Sequence, residues 1–267
     1  MTKLSLIGGG QMGRALVGGM ISGGIIQPTD VCLFDPSVES QRWWTDHQPG
    51  VTVCPDQASA VAASEQIILA VKPHHIVGVA KQSEKYWQGK LVISIAAGVT
   101  LSRLTEWIQH DRVVRVMPNT PCLVGAGASG YCCGNAATSQ DRKQVHAMLS
   151  AVGCAVQVDE DQLHAVTGLS GSGPAYVFMM IEALADGGVK AGLTRPIAMQ
   201  LAAATLRGAA SMVEETSQHP GALKDAVASP GGTTIAAIGS LEQNGLRGAL
   251  IEAVQVAAQR SRDLSAT

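Results

Sequence analysis

Short runs in the N-terminal half of the chain, at 4–8, 31–35, 66–71, 91–96 and 113–117, are apolar at nearly every position. They do not alternate apolar with polar. A continuous apolar run bounded by turn residues reads as a strand covered on both faces, the pattern of a parallel sheet. Between these runs, 13–22, 38–45, 59–63, 76–86 and 101–109 read as crossover helices. Two more strands are expected at 124–131 and 155–158, around a helix over 139–152 that starts at Ser139 with Asp141 and Arg142 close behind. Strand and helix in repetition predict an α/β fold with a doubly wound parallel sheet.

The pattern changes near Asp159-Glu160-Asp161, and no convincing strand follows. Helices are predicted at 162–169, 175–192, 196–216, 223–228, 234–243 and 246–264. Thr194-Arg195-Pro196 starts one of them, and His219-Pro220-Gly221 separates two. This half has 21 alanines in 109 residues and no aromatic residue after Phe178, so its helices can approach closely and a tight bundle is expected. The predicted domains are 1–158, α/β, and 159–267, all-α.

Composition narrows the function. Charged residues make up 15% of the chain and the formal net charge is −2. A typical charged fraction is about 25%. No basic stripe points to nucleic acid. The apolar stretches fall short of the roughly 20 residues that a membrane span needs, and the N-terminus, Met1 to Ser5, lacks a signal-peptide layout. Cys32, Cys54, Cys122, Cys132, Cys133 and Cys154 have no C-x-x-C spacing and read as free, buried thiols of a cytoplasmic protein. No His/Cys/Asp cluster has metal-ligand spacing, so no metal is expected. A surface this poor in charge raises the question of what covers it.

Gly8-Gly9-Gly10-Gln11-Met12-Gly13 matches G-x-G-x-x-G between a predicted strand and a predicted helix. In that context Gly8 makes the tight turn, Gly10 admits a pyrophosphate to the backbone and Gly13 lets helix and strand pack. Gln11 and Met12 open the helix, whose N-terminus favours an anion. A glycine-rich turn without a ligand is the plainer alternative. Asp35 ends the second strand, where an acidic side chain bonds the adenosine ribose and disfavours a 2′-phosphate. It leans the coenzyme toward NADH. Asp35 as a cap of the following turn, with Ser37 and Arg42 meeting an NADPH phosphate, is the competing reading.

Further segments read together: Ala70-Val71-Lys72-Pro73, Ser94-Ile95-Ala96-Ala97-Gly98-Val99 and Met117-Pro118-Asn119-Thr120-Pro121, each at a strand end. In the helical half stand residues 168–176, Gly-Leu-Ser-Gly-Ser-Gly-Pro-Ala-Tyr, then 219–225, His-Pro-Gly-Ala-Leu-Lys-Asp, then Ser229-Pro230-Gly231-Gly232-Thr233-Thr234. Together they resemble the pyrroline-5-carboxylate reductase family from about residue 4 to residue 264. The resemblance implies a Rossmann domain followed by an all-α dimerisation domain, and reduction of the C=N of 1-pyrroline-5-carboxylate to proline by NADPH or NADH. It also implies coenzyme contacts from Ala70, Val71, Lys72, Pro73, Ala96, Ala97 and Asn119. A homodimer with interleaved helical domains is expected, with further assembly left open.

A protonated imine is already electrophilic, so the reaction needs orientation more than acid–base machinery. Gly231 and Gly232 free the backbone to aim amides at a carboxylate, and Thr233 and Thr234 begin a helix. Ser229, Gly231, Gly232, Thr233 and Thr234 therefore form the expected substrate loop, with an ordinary Pro-Gly turn as the alternative. By resemblance, the Thr234 hydroxyl meets the ring nitrogen. Lys72 reads as structural or phosphate-side, and 170–174 either walls the nicotinamide or packs closely. Arg115, His74, His75 and His146 are expected at solvated or capped positions. A β-hydroxyacid dehydrogenase would want a catalytic lysine early in the helical half, and Lys190 and Lys224 sit in no such motif. A nucleotide-sensing module would keep Gly8–Gly13 without needing 229–234.

Overall fold

The computed structural model describes residues 3–266. Met1 and Thr2 of the N-terminal reading lie outside them. The strands are β1 (Leu4–Ile7), β2 (Val31–Phe34), β3 (Thr52–Val53), β4 (Gln66–Leu69), β5 (Leu91–Ser94), β6 (Val113–Met117), β7 (Gly127–Cys133) and β8 (Gly153–Gln157). They form one sheet in the order β3-β2-β1-β4-β5-β6-β7-β8. The order reverses between β1 and β4, which opens a crevice at their carboxyl ends.

Period-two alternation assigns side chains to the two faces. Leu4, Leu6, Ile68, Leu91, Ile93, Val114 and Val116 join one core cluster. Their neighbours Ile7, Ile67, Leu69, Val92 and Val113 join the other. The first cluster packs under α1 (Gln11–Ser22), α2 (Val38–His47) and α6 (Ser139–Ser150). The second packs under α3 (Gln57–Ala62), α4 (Ile76–Gln82) and α5 (Leu101–Ile108). Both faces are buried, which is why these strands carry so few polar residues.

Three details differ from the sequence reading. The sheet is not wholly parallel: β7 runs antiparallel to β6, pairing Val116 with Tyr131. The strand expected at 124–131 begins later, because Thr120–Val124 forms a 3-10 turn and Gly125 turns left-handed with φ +71°. β3 has only two residues and no apolar run to announce it.

Beyond β8 come α7 (Gln162–Val166), a π-helical turn (Thr167–Gly171), α8 (Gly173–Lys190), α9 (Arg195–Thr216), α10 (Pro220–Ala226), α11 (Thr233–Gln243) and α12 (Leu246–Ala266). The chain divides into two compact units, but not at 158/159. The first unit runs to Ser172 and resumes at Gln255; the second spans Gly173–Val254. Residues 160–172 stay with the sheet for physical reasons. Leu163 is fully buried, and the side chain of Val166 packs where Gly130 leaves room for it. The end of α12 joins them through a 2.9 Å hydrogen bond between His164 Nδ1 and Ser261 Oγ.

The second unit is not the tight bundle its alanines predict. Its core is Ala185, Ala198 and Ala202, with Ile181 and Val189 packed against them. Phe178 is 62% exposed and Met179 70%, and Leu184, Leu201, Ile235 and Leu241 are also exposed. Small residues permit close approach, but within one chain these helices leave much of their apolar face uncovered. No helix among the described residues is long and apolar enough to cross a membrane.

Candidate active site

The glycine-rich loop is built by close contacts. Gly8 has φ +99°, and a Cβ there would stand 2.7 Å from the Ala70 carbonyl oxygen. β1 and β4 thus approach at the switch point only because this position has no side chain. Gly13 is equally constrained, since its Cβ would meet the Gly8 carbonyl oxygen at 2.5 Å. Gly10 is different: nothing lies within 4 Å of a Cβ placed there. It begins α1 with no side-chain cap on the helix amides and no acidic residue in the first turn. Open space before uncapped amides is what a pyrophosphate requires.

Gly9 carries a role that the motif spacing hides. Its amide donates to Asp35 Oδ2 at 2.6 Å, and its carbonyl accepts from Trp44 Nε1 at 3.0 Å and Arg14 Nε at 3.1 Å. The loop is therefore held from below by α2. Asp35 Oδ1 also accepts from the Ser37 amide at 2.8 Å. Asp35 at the end of β2 thus caps the following turn and ties it to the glycine-rich loop.

Two adjoining clefts run along the carboxyl ends of the strands and share Val71. One, about 440 Å³, brings together Gly10, Gln11, Met12, Ala70, Val71, Lys72, Pro73, Ala96 and Ala97. Segments distant in sequence thus meet as expected. The other, about 390 Å³, lies at the β2 side between Gly8, Phe34, Pro36, His75, Val79 and Gln82. Pro36, His75 and Gln82 belong to no motif: Pro36 lies in a loop, His75 in the 3-10 turn before α4 and Gln82 at the C-terminal end of α4. Lys72 is exposed and extended, just before a 3-10 turn at Pro73–His75, and its ammonium has no ion-pair partner among the described residues.

Asn119 lines neither cleft. Its Oδ1 accepts from the Ala128 amide at 2.9 Å and its Nδ2 donates to the Ser170 carbonyl at 3.0 Å. It fastens the end of β6 to the π-helical turn. Gly171 in that turn would place a Cβ 2.6 Å from the Met117 methyl, so residues 167–171 pack closely onto the strand end. Arg115, expected at a solvated or capped position, is not solvated: it is 4% exposed and paired with Glu160.

The loop at 229–234 belongs to the second unit. Gly231 adopts φ +66°, and Gly232 is the N-cap of α11 with no side-chain cap. A Cβ on Gly232 would stand 2.3 Å from Ser229 Oγ, so the turn folds tightly on itself. Thr233 opens the helix and Thr234, half-buried, follows it. The Pro-Gly turn does form, with the Gly232 amide donating to the Ser229 carbonyl at 3.0 Å, but no side chain caps the amides that open α11.

None of the six cysteines forms a disulfide, and not all are buried: Cys133 is intermediate and Cys154 exposed. Burial pushes the Cys132 thiol up to about 12. No group of three or more His, Cys, Asp or Glu able to hold a metal ion occurs among the described residues.

Comparison with known proteins supplies the family. A model described as pyrroline-5-carboxylate reductase dimerisation matches residues 160–264, and one described as NADP oxidoreductase, coenzyme F420-dependent, matches residues 3–98. The chain is 45% identical over 264 residues to the pyrroline-5-carboxylate reductase of Arabidopsis thaliana, covering 98% of this chain and 95% of the relative. Among solved structures, a pyrroline-5-carboxylate reductase from Coxiella burnetii matches with TM-score 0.93 and 36% identity, covering 100% of this chain and 99% of that one. The Plasmodium falciparum pyrroline carboxylate reductase with NADP bound matches with TM-score 0.88 and 33% identity, covering 99% and 98%.

Proposed function

The chain belongs to the pyrroline-5-carboxylate reductase family and reduces 1-pyrroline-5-carboxylate to proline with a nicotinamide coenzyme; from that premise we propose how its residues divide the work. The cleft at Gly10, Gln11, Met12, Ala70–Pro73, Ala96 and Ala97 holds the pyrophosphate and nicotinamide. The cleft at Pro36, His75 and Gln82 holds the adenosine. The single observation that carries this division is the open space before the uncapped amides at Gly10, at the point where the strand order reverses. The bound coenzyme supplies the hydride. Lys72 faces the phosphates, and Asn119 acts by fixing the end of β6.

The 229–234 loop takes the substrate. Its glycines and the uncapped start of α11 receive the carboxylate, and the Thr234 hydroxyl orients the ring nitrogen, which arrives already protonated. No lysine, histidine or carboxylate is needed in the loop, and none is present. The functional boundary stays at 158/159, in keeping with the dimerisation match that starts at 160.

Asp35 leans the coenzyme preference toward NADH, because its carboxylate stands where a 2′-phosphate would have to approach. The dimerisation domain makes the protein a dimer, and the exposed Phe178, Met179, Leu184 and Leu201 support helical domains that interleave across it, with surface left for further assembly. In that arrangement the substrate loop of one chain serves the coenzyme of its partner. Six cysteines without a disulfide suit a reducing compartment, the cytoplasm. Oxidation of NADH and of NADPH, each followed with and without 1-pyrroline-5-carboxylate, tests the reading. Substrate-dependent oxidation with a higher kcat/KM for NADH is expected; a higher value for NADPH would remove the role given to Asp35.

A further inference from the structure

A cavity of about 650 Å³ lies wholly within the sheet-bearing unit and adjoins the coenzyme cleft through Pro73 and Ala97. One wall is α5, which contributes Arg103 and Trp107 one turn apart. The end of α12 contributes Arg260 and Leu264 to the lining, also one turn apart. Each helix thus offers a guanidinium beside an apolar group at i, i+4 spacing. No carboxylate lines the cavity. Neither guanidinium has an ion-pair or side-chain hydrogen-bond partner among the described residues. A chain of net charge −2 therefore gathers two unpaired cations around one apolar hollow.

Like charges lining one cavity repel each other unless an anion lies between them. The volume falls in the range of small-molecule sites, roughly 300–1,000 Å³. A guanidinium forms its strongest contacts with a carboxylate, through paired N–H groups. We propose that this cavity binds a small organic carboxylate with a flat apolar body. The body lies against Trp107 and Leu264, and the carboxylate lies between Arg103 and Arg260. The ligand enters beside the coenzyme and not in its place, because Gly10, Gln11, Met12 and Lys72 belong to the other cleft alone.

Calorimetric titration of the NADPH-saturated protein tests this, with 1-naphthoate as the probe. Naphthoate is expected to bind, with inorganic phosphate and uncharged naphthalenemethanol each at least about tenfold weaker. Arg103→Gln and Arg260→Gln should each weaken naphthoate by roughly tenfold or more, the scale of one charged hydrogen bond, while kcat for pyrroline-5-carboxylate is unchanged. Because the two substitutions are on separate helices, one of them survives as a test if the other fails to fold. No binding, equal binding to wild type and both variants, or displacement by pyrroline-5-carboxylate would overturn the proposal.

Discussion

Glu160 Oε1 accepts a hydrogen bond from Arg115 Nη1 at 3.0 Å, and the same oxygen accepts from the Leu101 amide at 2.7 Å. One carboxylate from the start of the helical segment thus neutralises a buried cation on β6 and caps α5. Removing one member of a buried pair costs roughly 3–5 kcal/mol. Glu160 is about a third exposed, so Glu160→Ala is expected near the lower end of that range. Arg115→Met, which removes the buried charge itself, should cost less. Urea unfolding of both variants checks this; a smaller loss for Glu160→Ala than for Arg115→Met would contradict it.

Gly9 and Gly10 make a matched pair of tests. A Cβ on Gly9 would stand 2.7 Å from Trp44 Nε1 and 2.8 Å from Ser40 Oγ, whereas one on Gly10 meets nothing within 4 Å. Gly9→Ala should lower Tm. Gly10→Ala should leave Tm unchanged and raise KM for the coenzyme by about tenfold or more, the equivalent of about 1.4 kcal/mol of lost phosphate contact. A Gly10→Ala enzyme with unchanged coenzyme KM would move the pyrophosphate elsewhere.

Asp35→Ser should shift the kcat/KM ratio toward NADPH by about tenfold, since a carboxylate no longer opposes a 2′-phosphate. Asp35→Asn separates charge from scaffolding, because it keeps an acceptor for the Gly9 amide. A ratio that moves in neither variant would leave Asp35 as the cap of its turn alone.

Asp141 gives the clearest acid sensitivity. Hydrogen bonds from Arg112 Nε at 3.0 Å and Nη2 at 2.8 Å hold its carboxyl at about 2, below the ordinary 3.8, and the Thr138 capping box adds to this. The folded value lies below the unfolded one. The contribution is therefore complete above about pH 4 and is lost as pH falls toward 2, amounting to about 2 kcal/mol. Asp141→Asn should lower stability at neutral pH and flatten its fall over that acid window. An unchanged slope would contradict the assignment.

The sheet was legible because β1, β4, β5 and β6 are apolar on both faces, and only a sheet covered on both sides demands that. The coenzyme cleft was legible because G-x-G-x-x-G constrains backbone geometry, which leaves glycines in the sequence. Three features were hidden for definite reasons. β7 runs antiparallel through a Gly-Ala-Ser-Gly stretch with no apolar pattern. Arg115 looks like any strand arginine until Glu160, 45 positions away, is seen beside it. The exposed apolar face of α8 and α9 reads from its pattern alone as bundle interior, because a one-dimensional pattern does not distinguish burial within a chain from burial between chains; only the resemblance, with its interleaved helical domains, pointed to the second.

In the mechanism we propose, the 229–234 loop delivers the substrate to the coenzyme, with the Thr234 hydroxyl on the ring nitrogen. Turnover of wild type and Thr234→Ala, measured as pyrroline-5-carboxylate-dependent oxidation of reduced coenzyme at saturation, tests it most directly. Wild type should turn over. Thr234→Ala should lose roughly tenfold to a hundredfold in kcat, the scale of one hydrogen bond to a charged group, with coenzyme affinity intact. An unchanged kcat in Thr234→Ala, or no substrate-dependent oxidation by wild type with either coenzyme, would contradict the account.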